Sequence, residues 1–166
     1  MHKKKLMAAA LSAALVFSAC GGPAVSAVTT TSSVPRSVVQ MLPAHDAAIA
    51  GQCQVMQNYF TASRLACVGK VDDTSSTVTF TLEAPEAGRY LIQLCTGSGS
   101  DQVNAGYRYW TNGDEENAQI VRFHNYGWET WRLYDVYVDL QAGENTFTVS
   151  HTGEEKSYTQ IDFIKF

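Results

Sequence analysis

Residues 77–94 read TVTFTLEAPEAGRYLIQL and carry the clearest fold signal in this chain of 166 residues. Val78, Phe80 and Leu82 alternate with threonines, and a period of two residues is typical of a β-strand with one buried face. The EAPEAG segment that follows contains a proline and a glycine, which favour turns. Residues 89–95 (RYLIQLC) then form a more continuously apolar segment of strand length. The stretch predicts two strands joined by a turn.

Strand and turn signals continue through the rest of the chain. Residues 106–110 and 118–124 flank Asn112-Gly113, a dipeptide typical of β-hairpins. Other strand-like segments lie near residues 48–55, 65–71, 136–140, 145–149 and 160–166. The segment from about residue 42 onward has no convincing helical period. We therefore predict an all-β fold of about nine short antiparallel strands, either a β-sandwich or a jelly roll.

The first 20 residues, MHKKKLMAAALSAALVFSAC, predict export from the cytoplasm. A basic start, an apolar run from Leu6 to Phe17 and small residues form the pattern of a secretory signal. The run is shorter than the roughly 20 apolar residues that a membrane span needs. Cys20 follows Phe-Ser-Ala, which resembles a bacterial lipoprotein box with Phe17 in place of the usual Leu. The resemblance implies a lipoprotein signal peptide at residues 1–19 and lipidation of Cys20; a plain secretory signal cut near Ala27 is the alternative.

The segment after Cys20 has the composition of a linker. Residues 21–40 read GGPAVSAVTTTSSVPRSVVQ, and this richness in Gly, Ser, Thr, Pro and Ala is typical of a flexible tether. We predict a lipid-anchored tether at residues 20–41 and a folded domain at residues 42–166. Acyl chains on Cys20 would anchor the protein to the cell membrane or outer membrane, facing outside the cytoplasm.

Charge and motifs exclude two classes of function. The chain carries a net charge of −4, and without Lys3, Lys4 and Lys5 of the predicted signal 9 basic and 16 acidic residues leave −7. Such a surface repels phosphates, which argues against nucleic acid as a partner. The sequence has no GxSxG, HExxH or phosphate-loop motif. We therefore predict that the protein is not an enzyme.

Three cysteines follow Cys20, namely Cys53, Cys67 and Cys95. An extracytoplasmic location permits disulfides, but an odd number leaves one cysteine over. Cys53 and Cys67 can pair only if their strands are neighbours, and the sequence leaves this open. Cys95 ends an apolar strand and is interpreted as a small core residue.

Three segments together resemble a known family. They are LACVGKVDDTSSTVTFTLEAPEAGRYLIQL at residues 65–94, YGWETWRLYDVYVDLQAGENTFTV at residues 126–149, and QIDFIKF at residues 160–166. Their order and spacing, over about residues 44–166, resemble the carbohydrate-binding modules of family 35 and their relatives in family 6. The resemblance implies a β-sandwich jelly roll that binds a glycan in loops at one end, where an aromatic ring stacks on the sugar and polar side chains bond its hydroxyls.

The resemblance also implies particular site residues. Trp128 occupies the position of the family's stacking tryptophan, and Gln160 that of a sugar-binding asparagine. Tyr126 and Asn125 join them as candidates because the segment HNYGW, residues 124–128, combines polar and aromatic residues that core packing explains poorly. These four residues form the predicted carbohydrate site.

The sequence departs from the family pattern at a second aromatic position. Lys70 or Asp72 lies where family 6 modules commonly have another ring. This departure fits family 35 better, whose ligands include uronic and galactose-type sugars.

A structural calcium ion is common in this family, but here its ligands are only partly present. The resemblance would place two glutamates near the start of the domain, where this chain has Pro43 and His45. Asp162 of the closing strand is retained, and Asp46 lies nearby in sequence. Because calcium prefers oxygen ligands, Asp162 is a candidate metal ligand.

These observations leave two functional hypotheses. The first is non-catalytic glycan binding by a membrane-anchored surface lipoprotein. The alternative is a structural or protein-interaction lipoprotein that keeps the fold without binding sugar. The candidate partners are a polysaccharide or oligosaccharide, the membrane through the lipid anchor, and a separately encoded glycan-active enzyme.

Overall fold

The computed structural model describes residues 39–166. The predicted signal peptide, most of the predicted tether and Cys20 lie outside these residues. The described part forms two antiparallel sheets and contains no α-helix, which leaves no helix long and apolar enough to cross a membrane there. Its strands are β1 (Met41–Pro43), β2 (Ala48–Ala50), β3 (Gln54–Gln57), β4 (Ala66–Gly69), β5 (Thr77–Ala84), β6 (Gly88–Ser98), β7 (Gly106–Thr111), β8 (Gln119–Arg122), β9 (Gly127–Leu140), β10 (Gly143–Ser150) and β11 (Gln160–Lys165).

The two sheets combine strands from distant parts of the chain. The first sheet has the order β3-β4-β11-β6-β9, with β1 also paired to β11, and the second has the order β2-β5-β10-β7-β8. The predicted all-β jelly-roll sandwich is confirmed. Eleven strands are present in residues 39–166 rather than about nine, because strands of three or four residues are too short to show a period.

The predicted alternation in residues 77–82 forms the core of the second sheet. Val78, Phe80 and Leu82 are buried, and β10 places Phe147 opposite Phe80 and Val149 opposite Val78. Burying a side chain of this size stabilises a fold by about 1.5–3 kcal/mol. The EAPEAG turn carries the chain from this sheet to the other, because β5 pairs with β10 and β2 while β6 pairs with β9 and β11.

The strand-like segment predicted near residues 48–55 is two strands. A turn at Gly51 separates β2 of the second sheet from β3 of the first. Gly51 has a φ of +67°, and a Cβ atom there would lie 2.5 Å from the Ser75 carbonyl oxygen. Only glycine fits this backbone and this close approach. The Asn112-Gly113 hairpin is confirmed, since β7 pairs with β8.

The sandwich has two ends that differ in their connections. Along β6 and β9 the pairing runs from Gly88 opposite Leu140 to Ser98 opposite Gly127. We call the Ser98 side the loop end; it carries the connections at residues 51–53, 70–76, 99–105, 123–126 and 151–159. The connection at residues 58–65 leaves β3 and β4 at their opposite ends, where Gln57 pairs with Ala66, and reaches β9 through side-chain contacts. We call the Gly88 side the turn end; it carries the connections at residues 85–87, 112–118 and 141–142.

The cysteines of residues 39–166 are all buried and free. The Cys53–Cys67 pairing that the sequence left open is therefore not present. Burial raises the pKa of Cys53 to about 11 and those of Cys67 and Cys95 to about 12. Thiols with such pKa values are protonated near neutral pH and unreactive.

Candidate functional site

Three adjacent strands bring the predicted site residues to the loop end of the first sheet. Gln160 at the start of β11 pairs with Gly97 of β6, and Ser98 of β6 pairs with Gly127 of β9. Trp128 is the second residue of β9, so it begins a strand rather than lying within a loop. Gln160 and Trp128 are thus brought to the same end of the sheet although 32 positions separate them in sequence.

The Trp128 indole rests on the backbone of the β6–β7 connection. A Cβ atom at Gly99 would lie 2.6 Å from the indole Nε1 and 2.7 Å from Cε2. Only a residue without a side chain leaves this room. The indole is held in place and yet 37% exposed. It can therefore act as a preformed apolar platform for a ligand.

The two residues before β9 are positioned by their neighbours. The Asn125 side-chain amide donates to the Ser100 carbonyl oxygen at 2.7 Å, which joins two loops. Tyr126 is 56% exposed. Its ring lies 5.1 Å from the Arg132 guanidinium carbon and stacks with the His124 ring at 6.2 Å. Tyr126 thus adds an oriented aromatic ring at the same end of the sandwich.

Gln160 is placed differently from the other three candidates, since it is only 8% exposed. Its Nε2 lies 3.9 Å from the Met56 sulfur. Burial raises the pKa of Tyr59, and hydrogen bonding with the Gln160 side chain opposes this shift. The Gln160 Oε1 is buried without a hydrogen-bond partner in residues 39–166. A buried oxygen of this kind costs free energy until a donor reaches it.

The loop at residues 58–65 contributes aromatic residues that the sequence reasoning missed. The Tyr59 hydroxyl lies 3.5 Å from the Trp128 carbonyl oxygen, and its ring meets the Trp131 ring edge-on at 6.0 Å. The Trp131 indole donates to the Thr61 hydroxyl at 3.2 Å. Phe60 is 85% exposed. The NYF triplet at residues 58–60 was the available signal, but its distance from Trp128 in sequence concealed the contact.

Asp162 fixes this loop to β11. Its two carboxylate oxygens accept hydrogen bonds from the Ser63 backbone N–H and hydroxyl, each at 2.8 Å, and the side chain is buried. Residues 39–166 contain no cluster of three or more His, Cys, Asp or Glu suited to a metal ion. His45 and Asp46 face each other at 3.8 Å instead. This donor set does not fit a calcium ion, and we derive no role for one.

The position of the missing second ring is occupied by an ion pair. Lys70 Nζ lies 3.8 Å from an Asp72 oxygen at the start of the β4–β5 connection. Further along, Asp73 accepts hydrogen bonds from the backbone and hydroxyl groups of Ser75 and Ser76. These bonds lower the pKa of Asp73, the Ser75 hydroxyl most strongly. This connection presents polar groups where family 6 has an aromatic ring.

The loop end contains a buried Ser–His pair, but the hydrogen bond between the two side chains runs in the wrong direction for catalysis. The Gly153 backbone N–H donates to His151 Nδ1 at 3.0 Å, so in the neutral ring the proton resides on Nε2. Nε2 then donates to the Ser157 hydroxyl at 2.5 Å, which donates to the Glu154 carbonyl oxygen at 2.7 Å. A general base needs a lone pair facing the serine. Burial lowers the pKa of His151, which favours this neutral, structural state.

Solved structures with this fold include carbohydrate-binding modules. A family 35 carbohydrate binding module from Clostridium thermocellum matches with a TM-score of 0.67 at 22% identity, over 75% of this chain and 96% of the module. The resemblance expected from the sequence is confirmed at the level of the fold. No protein-family model matches the chain, and no curated protein does.

Two enzymes contain a region of similar structure. The exo-β-1,3-galactanase of Phanerochaete chrysosporium, solved with β-1,3-galactotriose, matches with a TM-score of 0.66 at 20% identity over 78% of this chain. The GH26-CBM35 β-(1,4)-mannanase of Podospora anserina matches with a TM-score of 0.63 at 18% identity over 76% of this chain. The match covers only 29% and 27% of these enzymes.

Proposed function

We propose that this protein is a non-catalytic glycan-binding lipoprotein. The observation that carries the proposal is the Trp128 indole, held on Gly99 and exposed at the loop end of the sandwich. A flat ring covers the apolar C–H face of a sugar at little cost in conformational entropy. Tyr126 supplies a further exposed ring at this end, and Phe60 is exposed on the connection at residues 58–65, which contacts β9 through Tyr59. No bond is made or broken in this function.

Polar groups near the rings would orient the sugar. Asn125 is tied to Ser100 through its amide nitrogen, so its Oδ1 can accept from a sugar hydroxyl. The Gln160 Oε1 is the buried acceptor that lacks a partner. A sugar hydroxyl that reaches it must displace Met56 or Tyr59, which lie beside it. We expect a dissociation constant of roughly micromolar to millimolar, since a small polar ligand buries little area.

The ligand class is supported by what the similar structures contain. One was solved with β-1,3-galactotriose, and another, the isomalto-dextranase of Arthrobacter globiformis, with panose. Both ligands are neutral oligosaccharides. We propose an oligosaccharide or polysaccharide as the partner, with neutral galactose- and glucose-containing chains as the first to test.

Anchoring through Cys20 is the second part of the proposal. It is supported by the signal pattern of residues 1–19 and the tether-like composition of residues 20–41. The domain would then face outside the cytoplasm and hold glycan near the membrane for a separately encoded glycan-active enzyme. Cys20→Ala should move the protein from the membrane fraction to the soluble fraction and abolish incorporation of a labelled fatty acid. A membrane fraction unchanged by Cys20→Ala would contradict lipid anchoring.

A glycan array tests the binding function. The purified protein should be retained on one class of glycan, and Trp128→Ala should reduce this retention strongly. Ile120→Ala is the matched control, because Ile120 is an exposed apolar residue on β8, outside the loop-end site. Equal retention of all three proteins would show that Trp128 is not the binding residue.

A second candidate function is protein interaction, and the exposure of Phe60 favours it. Phe60 follows Tyr59, whose hydroxyl approaches the Trp128 carbonyl oxygen, so the connection at residues 58–65 presents an exposed apolar side chain beside β9. Such surfaces also mark protein interfaces. An array without retention, combined with a co-purified protein partner that added sugar does not release and Phe60→Ala does, would support this function instead.

A further inference from the structure

A cleft lies at the turn end, away from the proposed glycan site. It has a volume of about 450 Å³ and is lined by residues of both sheets. One wall is the end of β9, and the other is the β7–β8 connection, which contains a short 3-10 turn at Glu115–Asn117. Tyr137 in this cleft lies nine residues after Trp128 on β9, which corresponds to about 30 Å along an extended strand.

The cleft contains an exposed aromatic ring with a fixed orientation. Tyr137 is 51% exposed, and the Arg89 guanidinium carbon lies 5.3 Å from the centre of its ring. A cation over the face of a ring is attracted by its quadrupole and restricts its motion. At the other wall, the Tyr109 hydroxyl donates to Gln119 Oε1 at 2.8 Å.

Polar groups surround this ring. The Asn117 amide donates to both Asp114 oxygens, at 2.9 and 3.0 Å, which holds both side chains in place. Within residues 39–166, Arg89 and Asp139 form no ion pair although their strands place them opposite each other. Their charged groups therefore remain available to a ligand.

We propose that this cleft is a second binding site, specific for neutral saccharides. The aromatic ring offers apolar area to the C–H face of a sugar. The two carboxylates, the amides and the guanidinium can form hydrogen bonds with its hydroxyls. The lining residues include one cation, Arg89, and two anions, Asp114 and Asp139, a net charge of −1 that disfavours uronic acids. The volume lies in the range of about 300–1,000 Å³ that small-ligand sites occupy.

The shape of the surface indicates more than one sugar unit. A second hollow of about 380 Å³ shares Arg89 and Tyr137 with the cleft and extends to Leu91 on the outer face of the first sheet. The two hollows are neighbours that share the Tyr137 ring and the Arg89 side chain. A short oligosaccharide fits this arrangement better than a single sugar.

A protein with a site at each end would bind polymers more tightly than short fragments. Engagement of one site raises the effective concentration of the same chain at the other, when that chain can span both. The two ends are about 30 Å apart by the strand length given above. The cleft site itself does not require that Trp128 binds sugar.

Nuclear magnetic resonance titration of the ¹⁵N-labelled full chain tests this site. The probes are β-1,3-galactotriose, panose and trigalacturonate, added to the Trp128→Ala variant so that the loop-end platform is absent. We expect one of the neutral trisaccharides to shift the side-chain amide signals of Asn117 and Gln119. Trigalacturonate should bind at least about tenfold more weakly, and Asp139→Asn should reduce this difference.

Two further variants make the result specific. Adding Tyr137→Ala should abolish the shifts, whereas Leu133→Ala, an exposed residue on the same face of β9, should leave them unchanged. Asn117 and Gln119 signals that do not move with either neutral trisaccharide would overturn the proposal, as would equal binding of trigalacturonate. The wild-type protein reports the loop end separately through the Trp128 indole N–H signal, so failure of the cleft and failure of the proposed function are distinguishable.

Discussion

The two ends of the sandwich are held together by different kinds of interaction. At the turn end, the buried Asn145 accepts from Asn112 and from the Gln141 backbone N–H, and donates to the carbonyl oxygens of Gln141 and Gly143. These partners lie in the β7–β8 connection, in the β9–β10 turn and at the start of β10. At the loop end, the buried Asp162 holds a loop that begins about a hundred residues earlier, through Ser63.

This difference shows how each end can carry a binding surface. At the turn end one amide satisfies the backbone of the β9–β10 turn and also binds Asn112 of the β7–β8 connection, which forms one wall of the cleft. The loop end places Trp128 at the start of β9, Tyr126 on the connection before it, and the Trp128 indole against Gly99 of the β6–β7 connection. Its aromatic surface therefore depends on contacts between segments, and substitutions outside the site should affect it.

Asn145→Ala should have the largest effect on stability. It removes four hydrogen bonds, three of them to the backbone of Gln141 and Gly143, which should lower the free energy of unfolding by about 3 kcal/mol. Glycan affinity at the loop end should stay unchanged under conditions where the variant is folded. Urea unfolding measures the first effect and titration calorimetry the second. A loss below about 0.5 kcal/mol would contradict the role of Asn145.

Asp162→Asn should have a smaller effect on stability but should also reduce binding. The amide keeps the size of the side chain but cannot accept both hydrogen bonds from Ser63, so the free energy of unfolding should fall by about 2 kcal/mol. The loop at residues 58–65 should loosen, which hydrogen exchange of its amides can measure. Asp135→Asn is the control, because Asp135 is exposed and bonded to Gln93. If the amides of residues 58–65 exchange hydrogen at the same rate in Asp162→Asn and in Asp135→Asn, Asp162 does not hold this loop.

Gly99→Ala should weaken glycan binding with little loss of stability. The added methyl group would lie within 2.7 Å of the Trp128 indole, so the ring must move. We expect at least about tenfold weaker binding, a loss of about 1.4 kcal/mol. Gly88→Ala is a useful control, since a Cβ atom at Gly88 would come no closer than 4.0 Å to the Tyr90 ring. If Gly99→Ala and the control variant weaken glycan binding equally, the contact between Gly99 and the Trp128 indole is not what supports binding.

The smallest expected effect is a pH dependence from His151. Burial lowers its pKa below the ordinary value of 6.5. At a pH between the lowered pKa and 6.5, His151 is therefore protonated in the unfolded chain and neutral in the folded protein. The neutral His151 makes its full contribution to stability above about pH 6.5. The free energy of unfolding should decrease as the pH falls from about 6.5 through the lowered pKa of the folded protein. Urea midpoints at pH 7.5 and 5.5 measure this, and His151→Gln should flatten the difference. If the urea midpoint changes by the same amount between pH 7.5 and 5.5 in the wild-type protein and in His151→Gln, the pH dependence comes from other titratable groups.

The sequence was sufficient to predict most of the fold. Val78, Phe80 and Leu82 point inward as their alternation indicated, because that strand is long and faces solvent on one side only. β1 and β2 have three residues each, which is too few for any period. Their positions depend on pairing with β11 and β5 and could not be predicted locally.

The candidate site was predicted only in part, for a related reason. Trp128 and Tyr126 were found because they share one segment with a family-like pattern. The burial of Gln160 depends on Met56 and Tyr59, and the position of Tyr59 depends on the hydrogen bonds between Ser63 and Asp162. Contacts that depend on several distant segments leave no local signal in a single sequence.

The central claim is that the sugar stacks on Trp128 at the loop end. Its most direct test is titration calorimetry of wild-type protein, Trp128→Ala and Ile120→Ala with the glycan that the array retains most strongly. We expect Trp128→Ala to bind at least about tenfold more weakly while Ile120→Ala matches the wild type. An affinity of Trp128→Ala within about twofold of the wild type would contradict the claim and place the binding surface elsewhere on the protein.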